Sequence, residues 1–502
     1  MVEPDIVVVG SGIGGATLAA SLAPSGMQIV ILERGEELHD SPDCRDDKAI
    51  FKYGVFRPHE AWYTSSEEEF NPGNYYYVGG NSKFYAGVMM RYRAEDFDEL
   101  QHLGGVSPAW PITYQELEPW YQAAETMYQV CGDAGQDPTE PWHSGQYVAP
   151  PIADEPAIER LRYSLGQNGV TPACLPLAVD LDRWLEGGMT PWDAFPDTNG
   201  GKKDAQSIGI ALALSYPNVK LVTNAKVSRL IVGDYGRIEA VEYEHNNNLQ
   251  RLNSKIIVLS AGAVNSAVIL LRSADRKYPR GLANSSNLVG RNFMNHNSSA
   301  LLAINPWRVN NAVYQKTLQV NDYYLRGGSM DMPLGNIQLL GKISGTILAS
   351  QSSLPLVIAN WIASHSVDWY VMSEDLPNMD SRVMLQNDKI VLDWKRSNWD
   401  AHMELVRKAK QMLKRAGFPL VFTRPFDRRT PSHQCGTTCF GHDPATSVLD
   451  VFCRSHDHRN LFVMDAGFLP TSAAVNPSLT IAAQALRVAE HIQQEGLQSS
   501  NL

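Results

Sequence analysis

Near the N-terminus, Asp5-Ile-Val-Val-Val9 runs directly into Gly10-Ser-Gly12-Ile-Gly14-Gly15 and then into the alanine-rich stretch Ala16 to Ala23. A short β-branched run, a glycine cluster and a helix-compatible stretch read as strand, tight turn and helix. In that arrangement Gly10 permits the turn, Gly12 lets backbone approach a pyrophosphate, and Gly15 lets the helix pack on the strand. The helix N-terminus adds amide donors and the positive end of a dipole. A second strand, Gln28-Ile-Val-Ile-Leu32, ends in Glu33, at the spacing where an acid meets ribose hydroxyls, and Arg34 beside it is counted with the cofactor-binding residues. The acid favours an unphosphorylated adenosine, and on this pattern FAD and NAD fit equally. A glycine turn with no ligand is the plain alternative.

Composition narrows the partners. Lys and Arg total 43 against 54 Asp and Glu, and the formal charge of -11 argues against nucleic acid, which calls for a basic stripe. Apolar residues make up 44% and charged residues 19%, a globular composition. The 502 residues correspond to about three domain equivalents, or to one two-domain enzyme with a long interleaved chain. No apolar run reaches the roughly 18 residues of a membrane span. The most apolar stretch, Leu354-Pro-Leu-Val-Ile-Ala-Asn-Trp-Ile-Ala363, soon meets His365 and Asp368 and reads as core. The N-terminus lacks the basic and apolar regions of a secretory signal, so a cytoplasmic protein is expected. Cys44, Cys131, Cys174, Cys435, Cys439 and Cys453 are too sparse for a disulfide framework and are expected as reduced thiols. The spacing of Cys435, Cys439, His442 and Cys453 departs from a zinc knuckle, and no metal is expected.

Further along stand several more segments. A second glycine turn, Tyr77-Val-Gly79-Gly80-Asn-Ser82-Lys-Phe84-Tyr85-Ala-Gly87, leads into Arg91-Tyr-Arg-Ala-Glu-Asp-Phe97. Then come Ala261-Gly-Ala-Val-Asn-Ser-Ala-Val-Ile-Leu-Leu271 and Asn287-Leu-Val-Gly-Arg-Asn-Phe-Met-Asn-His296. Near the end are His433-Gln-Cys-Gly436-Thr437, Asp465 and Ala474-Val-Asn476-Pro477-Ser-Leu-Thr480. Each has a bland reading. The second glycine turn is a hairpin or loop. His433 is a loop histidine bonded to backbone, and His296 reads as a packing residue as readily as a functional one. Asn476 caps an amphipathic helix through Ile492, with Pro477 at its first position. His442, His456 and His458, among Asp443, Asp450 and Asp457, read as a surface loop without a catalytic role.

In this order, and over essentially the whole chain, these segments resemble the glucose-methanol-choline (GMC) oxidoreductases. The specific motifs lie in the cofactor domain, and the substrate region matches loosely. Within the family the chain is similar to the bacterial sugar oxidoreductase and pyranose oxidase branch. The resemblance implies FAD. It puts the Gly79-Gly80-Asn-Ser82 turn along the flavin, backbone near Val227 at the adenine, Asp465 beside the ribityl and pyrophosphate, and Ala261 and Pro477 among the cofactor contacts. Some pyranose oxidases bond the flavin through a histidine in the second glycine turn; the matching position here is Phe84, so the expected FAD is non-covalent. Tyr85 stands where many members carry asparagine, which leaves that flavin contact open.

Removing a hydride from an alcohol carbon leaves a protonated carbonyl unless the hydroxyl proton is lost with it, so a base is needed. The resemblance makes His433 that base and Asn476 the donor that holds the same oxygen against flavin N5. A helix opening at Pro477 would turn its positive end toward a reduced, anionic flavin. The expected function is FAD-dependent oxidation of an alcohol on a sugar, glycoside or polyol. The electron acceptor is oxygen, a quinone or a carrier protein. Two other classes stay open: an FAD-containing lyase of the same family and a non-catalytic flavin-binding module.

The expected fold is α/β, a Rossmann-like FAD-binding domain interleaved with an α+β substrate-binding domain built on an antiparallel sheet. Residues 1-100, 205-300 and 425-495 are assigned to the first, and 101-204 and 301-424 to the second. Strands are expected at Lys255 to Leu259, Leu461 to Met464, Arg382 to Gln386 and Lys389 to Trp394, and a helix near Ala401 to Ala416. Residues 41-74, rich in charge, aromatic side chains and proline, are expected to form a lid or entrance.

Overall fold

The computed structural model describes residues 3–188, 192–430 and 433–499. Its organising element is a parallel sheet in the order Leu461–Val463, Ile256–Leu259, Ile6–Val9, Ile29–Leu32, Val219–Val222. Val9 lies opposite Leu259 on one side and Leu32 on the other, and Leu259 lies opposite Val463. Apart from the exposed Lys220 on the edge strand, these short strands are apolar on both faces, as a doubly covered parallel sheet requires. Because all five point the same way, their C-terminal ends share one edge. Gly10, Glu33, Ala261 and Asp465, far apart in sequence, are therefore neighbours in space.

A helix lies on this sheet and a second packs on that helix. Ile13–Leu22 follows Gly12, and Ser478–Ser499 packs against it. The first helix meets the strand ends through backbone. A Cβ on Gly14 would lie 2.0 Å from the Met464 carbonyl oxygen, and one on Gly15 would lie 2.3 Å from the Gly10 carbonyl oxygen. Gly15 was assigned this packing role from the motif; Gly14 has an equally strict one.

The second layer is an antiparallel sheet in the order Leu420–Pro425, Asn297–Ile304, Ser366–Ser373, Asn336–Leu339, Leu318–Val320, Pro172–Cys174. Helix Trp399–Arg415 lies across one face and buries Ala401, Leu405, Val406, Ala409, Met412 and Leu413 against Leu301, Val367, Trp369 and Val371. Its apolar positions recur at helical spacing, and it ends before Gly417, whose φ of 98° needs glycine. The strands alternate, so the opposite face carries Gln319, Asn336 and Gln338.

Two local expectations are corrected. The stretch expected as core forms helix Leu356–Ser364, in which only Ala359 and Ala363 are buried while Val357 is 81% exposed. The two alanines sit one turn apart, so the small side chains face inward and the large ones outward. His458 is buried rather than on a surface loop, with its Nδ1 2.7 Å from the Gly236 carbonyl oxygen. Residues 41-74 are tied to the body of the protein, since Trp62–Tyr63 and Glu69–Phe70 join the sheet of Arg382–Gln386 and Lys389–Asp393. The six cysteines are unpaired thiols.

Buried charge fastens the segment after the second glycine turn. The Arg91 guanidinium, fully buried, meets Glu125 at 2.7 Å and Glu118 at 3.0 Å. Both acids lie on one face of helix Tyr114–Met127. Arg91→Met would leave two carboxylates buried without their cation and is expected to cost about 3–5 kcal/mol. Chemical denaturation of the variant against the parent measures it, and an unchanged midpoint would contradict the assignment.

Candidate active site

The edge of the parallel sheet is shaped for a dinucleotide. Gly12 precedes helix Ile13–Leu22 and Gly262 precedes helix Ala263–Arg272, and no side chain caps either helix. A Cβ at Gly12 or at Gly262 would meet no atom within 4 Å, so open space lies in front of both helix ends. Free amides, a positive dipole end and open space suit a pyrophosphate. The second glycine turn closes on the first: Gly79 N donates to Ser11 Oγ at 3.0 Å, and a Cβ on Gly80 would lie 3.5 Å from Gly12 Cα. Ser82 Oγ donates to the Gly79 carbonyl at 2.6 Å.

The remaining residues assigned from the motifs fall around this edge. Glu33 accepts from Ser11 N at 3.0 Å, Ser11 Oγ at 2.6 Å and Gly35 N at 2.9 Å, so its carboxylate is already oriented by the turn. Burial raises its pKa against those hydrogen bonds. The Arg34 guanidinium lies 3.6 Å above the Tyr76 ring. Ala261 N donates to Ser266 Oγ at 3.1 Å. Asp465 accepts from Ser266 Oγ at 2.6 Å, Gly262 N at 3.1 Å and Gly467 N at 2.8 Å, and burial pushes its carboxyl up to about 6. Val227 lies in the next sheet, opposite Tyr243. Phe84 stacks on Tyr75 at 3.7 Å, and the Tyr85 hydroxyl donates to the Lys203 carbonyl at 2.7 Å.

His433 and Asn476 are brought together, with His433 Nε2 and Asn476 Nδ2 3.3 Å apart. Asn476 comes from the turn that opens the last helix. His433 comes from a segment that pairs antiparallel with Asn292 to His296, Met294 and Cys435 exchanging backbone hydrogen bonds of 3.0 and 2.9 Å. That register sets residue 296 opposite residue 433, and their Nδ1 atoms are 2.8 Å apart. His433 is held at a φ of 70°, in the left-handed region, strain of the kind that collects at functional sites. Burial, then the neighbouring His296 and Lys316, hold its pKa well below the ordinary value.

The polar face of the antiparallel sheet completes the site. Gln338 Nε2 donates to Asn476 Oδ1 at 3.0 Å and to Asn336 Oδ1 at 2.8 Å. Asn336 Nδ2 donates to Asn321 Oδ1 at 2.8 Å, and Asn321 Nδ2 to Asp137 at 2.6 Å. Sequence reasoning missed these carboxamides and left His296 between a packing and a functional reading. The alternations Leu318-Gln-Val320 and Asn336-Ile-Gln-Leu339 carried the available signal, since they point amides away from the apolar face. Among the described residues no group of three or more His, Cys, Asp or Glu side chains is arranged to hold a metal ion, and no helix is long and apolar enough to cross a membrane.

The chain belongs to the GMC oxidoreductase family, whose two models match residues 73–298 and 377–485. An NAD(P)-binding Rossmann-like model matches residues 8–61. Paromamine 6'-oxidase from Streptomyces fradiae is 29% identical, covering 97% of this chain and 91% of the relative. The fructose dehydrogenase large subunit from Gluconobacter japonicus is 27% identical, covering 97% of each. The crystal structure of pyridoxine 4-oxidase from Mesorbium loti shares the fold at a TM-score of 0.65 and 17% identity, over 98% of this chain and 99% of that one. The protein is therefore an alcohol oxidoreductase, and its family implies a flavin cofactor.

His296 gives a pH test. It is 1% exposed, and burial lowers its pKa from 6.5 to about 4, with the Ser472 hydrogen bond acting the other way. As pH falls through 6.5 the unfolded chain takes up a proton that the folded chain refuses until about 4. Stability is lost over that window, by about 3 kcal/mol in total. His296→Asn removes this titration. The stability difference between parent and variant should therefore shift in favour of the variant between pH 7 and 4.5, as read by chemical denaturation at both values.

Proposed function

We propose that this protein oxidises an alcohol group on a sugar, glycoside or polyol, with FAD held non-covalently and His433 as the general base. The observation that carries the reading is the 3.3 Å approach of His433 Nε2 to Asn476 Nδ2, where the polar sheet face meets the dinucleotide edge. One alcohol oxygen can lie within hydrogen-bond reach of both groups. The residues assigned above to the cofactor, Gly10, Gly12, Gly15, Glu33, Arg34, Gly79, Gly80, Ser82, Val227, Ala261, Asp465 and Pro477, make up its binding site in this reading. The same reading divides the chain into a discontinuous cofactor domain and a substrate domain, as assigned from the sequence.

In the reaction the substrate hydroxyl gives its proton to His433 Nε2, while Asn476 Nδ2 donates to the same oxygen and fixes its position. The carbon–hydrogen pair leaves as hydride and the carbon–oxygen bond becomes a carbonyl. Bound flavin supplies the acceptor for that hydride. A base already unprotonated at neutral pH is ready for its task, and a well-placed one contributes about 10²- to 10⁴-fold in rate. The substrate class is supported by relatives named for paromamine and fructose and by the carboxamides beside Asn476. Phe84 offers no nucleophile for a covalent flavin link.

Anaerobic mixing with a panel of sugars, glycosides and polyols should bleach the flavin absorbance, and His433→Ala should slow bleaching by about two decades. A flavoprotein that no alcohol reduces would refute the reading. Acid precipitation should leave the flavin in the supernatant, and flavin retained in the pellet would refute non-covalent binding. Peroxide release against dye reduction identifies the electron acceptor.

A further inference from the structure

We infer that His296 is the positioning residue of the base, holding His433 as its Nδ1–H tautomer so that the lone pair at Nε2 faces Asn476 and the substrate oxygen. The inference rests on the reading of His433 as base and adds a residue to it.

One group in this line cannot reverse its role. His296 Nε2 lies 2.8 Å from the Ser472 carbonyl oxygen, which only accepts, so Nε2 carries the proton. Ser472 is itself held, its Oγ donating to the Asp375 carbonyl at 2.9 Å and accepting from Asp375 N at 3.1 Å. A neutral imidazole has one N–H, and burial keeps His296 neutral. Its Nδ1 is therefore a bare acceptor. The His433 Nδ1 atom, 2.8 Å away, must be the donor. The ring planes lie 77° apart, an angle that this in-plane bond permits. His433 is left with its lone pair at Nε2.

The same direction is fixed from the other end. Gln338 Nε2 donates to Asn476 Oδ1, so Asn476 presents its NH₂ to His433 Nε2, and a donor needs an acceptor there. Every link from the Ser472 carbonyl to Gln338 thus has one donor and one acceptor. The opposite tautomer would set two N–H groups against each other at Asn476 and two lone pairs against each other at His296. When His433 takes a proton at Nε2, its Nδ1–H keeps the same neutral acceptor, so the imidazolium stays oriented. A carboxylate in that position would do this too, but it would also raise the affinity of the base for a proton. A neutral histidine orients His433 without that effect.

The test compares His296→Leu, His296→Asn and His433→Ala in anaerobic single-turnover flavin reduction, with ¹⁵N spectra of histidine-labelled protein as the second readout. Asparagine keeps an acceptor near the Nδ1 position; leucine does not. His296→Leu should lower the limiting reduction rate by roughly 10- to 100-fold, with half-saturation within about threefold of the parent. His296→Asn should stay within about fivefold. In the parent, the signals missing from His433→Ala should show a protonated Nδ1 and an unprotonated Nε2, and in His296→Leu a mixture. Parental reduction by His296→Leu alongside slow His433→Ala would overturn the inference alone. Parental reduction by His433→Ala would overturn the base assignment beneath it. If His296→Leu does not fold, the parent spectrum decides, since a proton on His433 Nε2 refutes the proposal.

Discussion

Between Gly14 and the Met464 carbonyl there is no room for a methyl group, since a Cβ would fall 2.0 Å from the oxygen. The same holds between Gly10 and the Ser260 carbonyl, at 2.3 Å, and between Gly15 and Gly10. These contacts bring three strand ends and the first turns of two helices to one edge at backbone distance. The rest of the site inherits that closeness. Met464 leads to Asp465, Ser260 leads to Ala261 and Gly262, and the last helix, seated on the first, begins just after Asn476. A chain with side chains at these glycines would hold the same elements further apart.

The antiparallel sheet contributes through alternation. One face of its strands is apolar and seated on helix Trp399–Arg415. The period of two then forces Gln319, Asn336 and Gln338 onto the other face, away from water. Buried amides have to find partners, and these find one another, ending at Asn476 on one side and at Asp137 on the other. A packing requirement on one face thereby becomes an oriented hydrogen-bond chain on the other. His433 is oriented similarly through a buried neighbour rather than by its own loop, and the two chains are anchored at their far ends by groups that only accept here, the Asp137 carboxylate and the Ser472 carbonyl.

The local features were the legible ones. Strand, glycine turn and helix lie within some twenty residues, and Glu33 follows at the end of the next strand, so short-range sterics were enough to read them. The strand pairs Arg382–Gln386 and Lys389–Asp393 and the helix Trp399–Arg415 stand close to where periodicity set them. His296 was not legible, because its partner lies 137 positions along the chain and only the Met294–Cys435 pairing sets the two opposite each other. Helix Leu356–Ser364 was misjudged for a related reason: hydropathy counts apolar residues but does not say which side of a helix the fold will cover.

By itself, the sequence determined the glycine turn and the acid that follows it, because these rest on residue type and short spacing, while the order of its motifs along the whole chain pointed to the family and, through that resemblance, to His433 and Asn476. The tertiary structure alone decided that Ser472, His296, His433, Asn476 and Gln338 form one directed hydrogen-bond line. Hydrogen-bond direction depends on which atoms meet across about 3 Å, and only the packing of the two sheets sets those meetings.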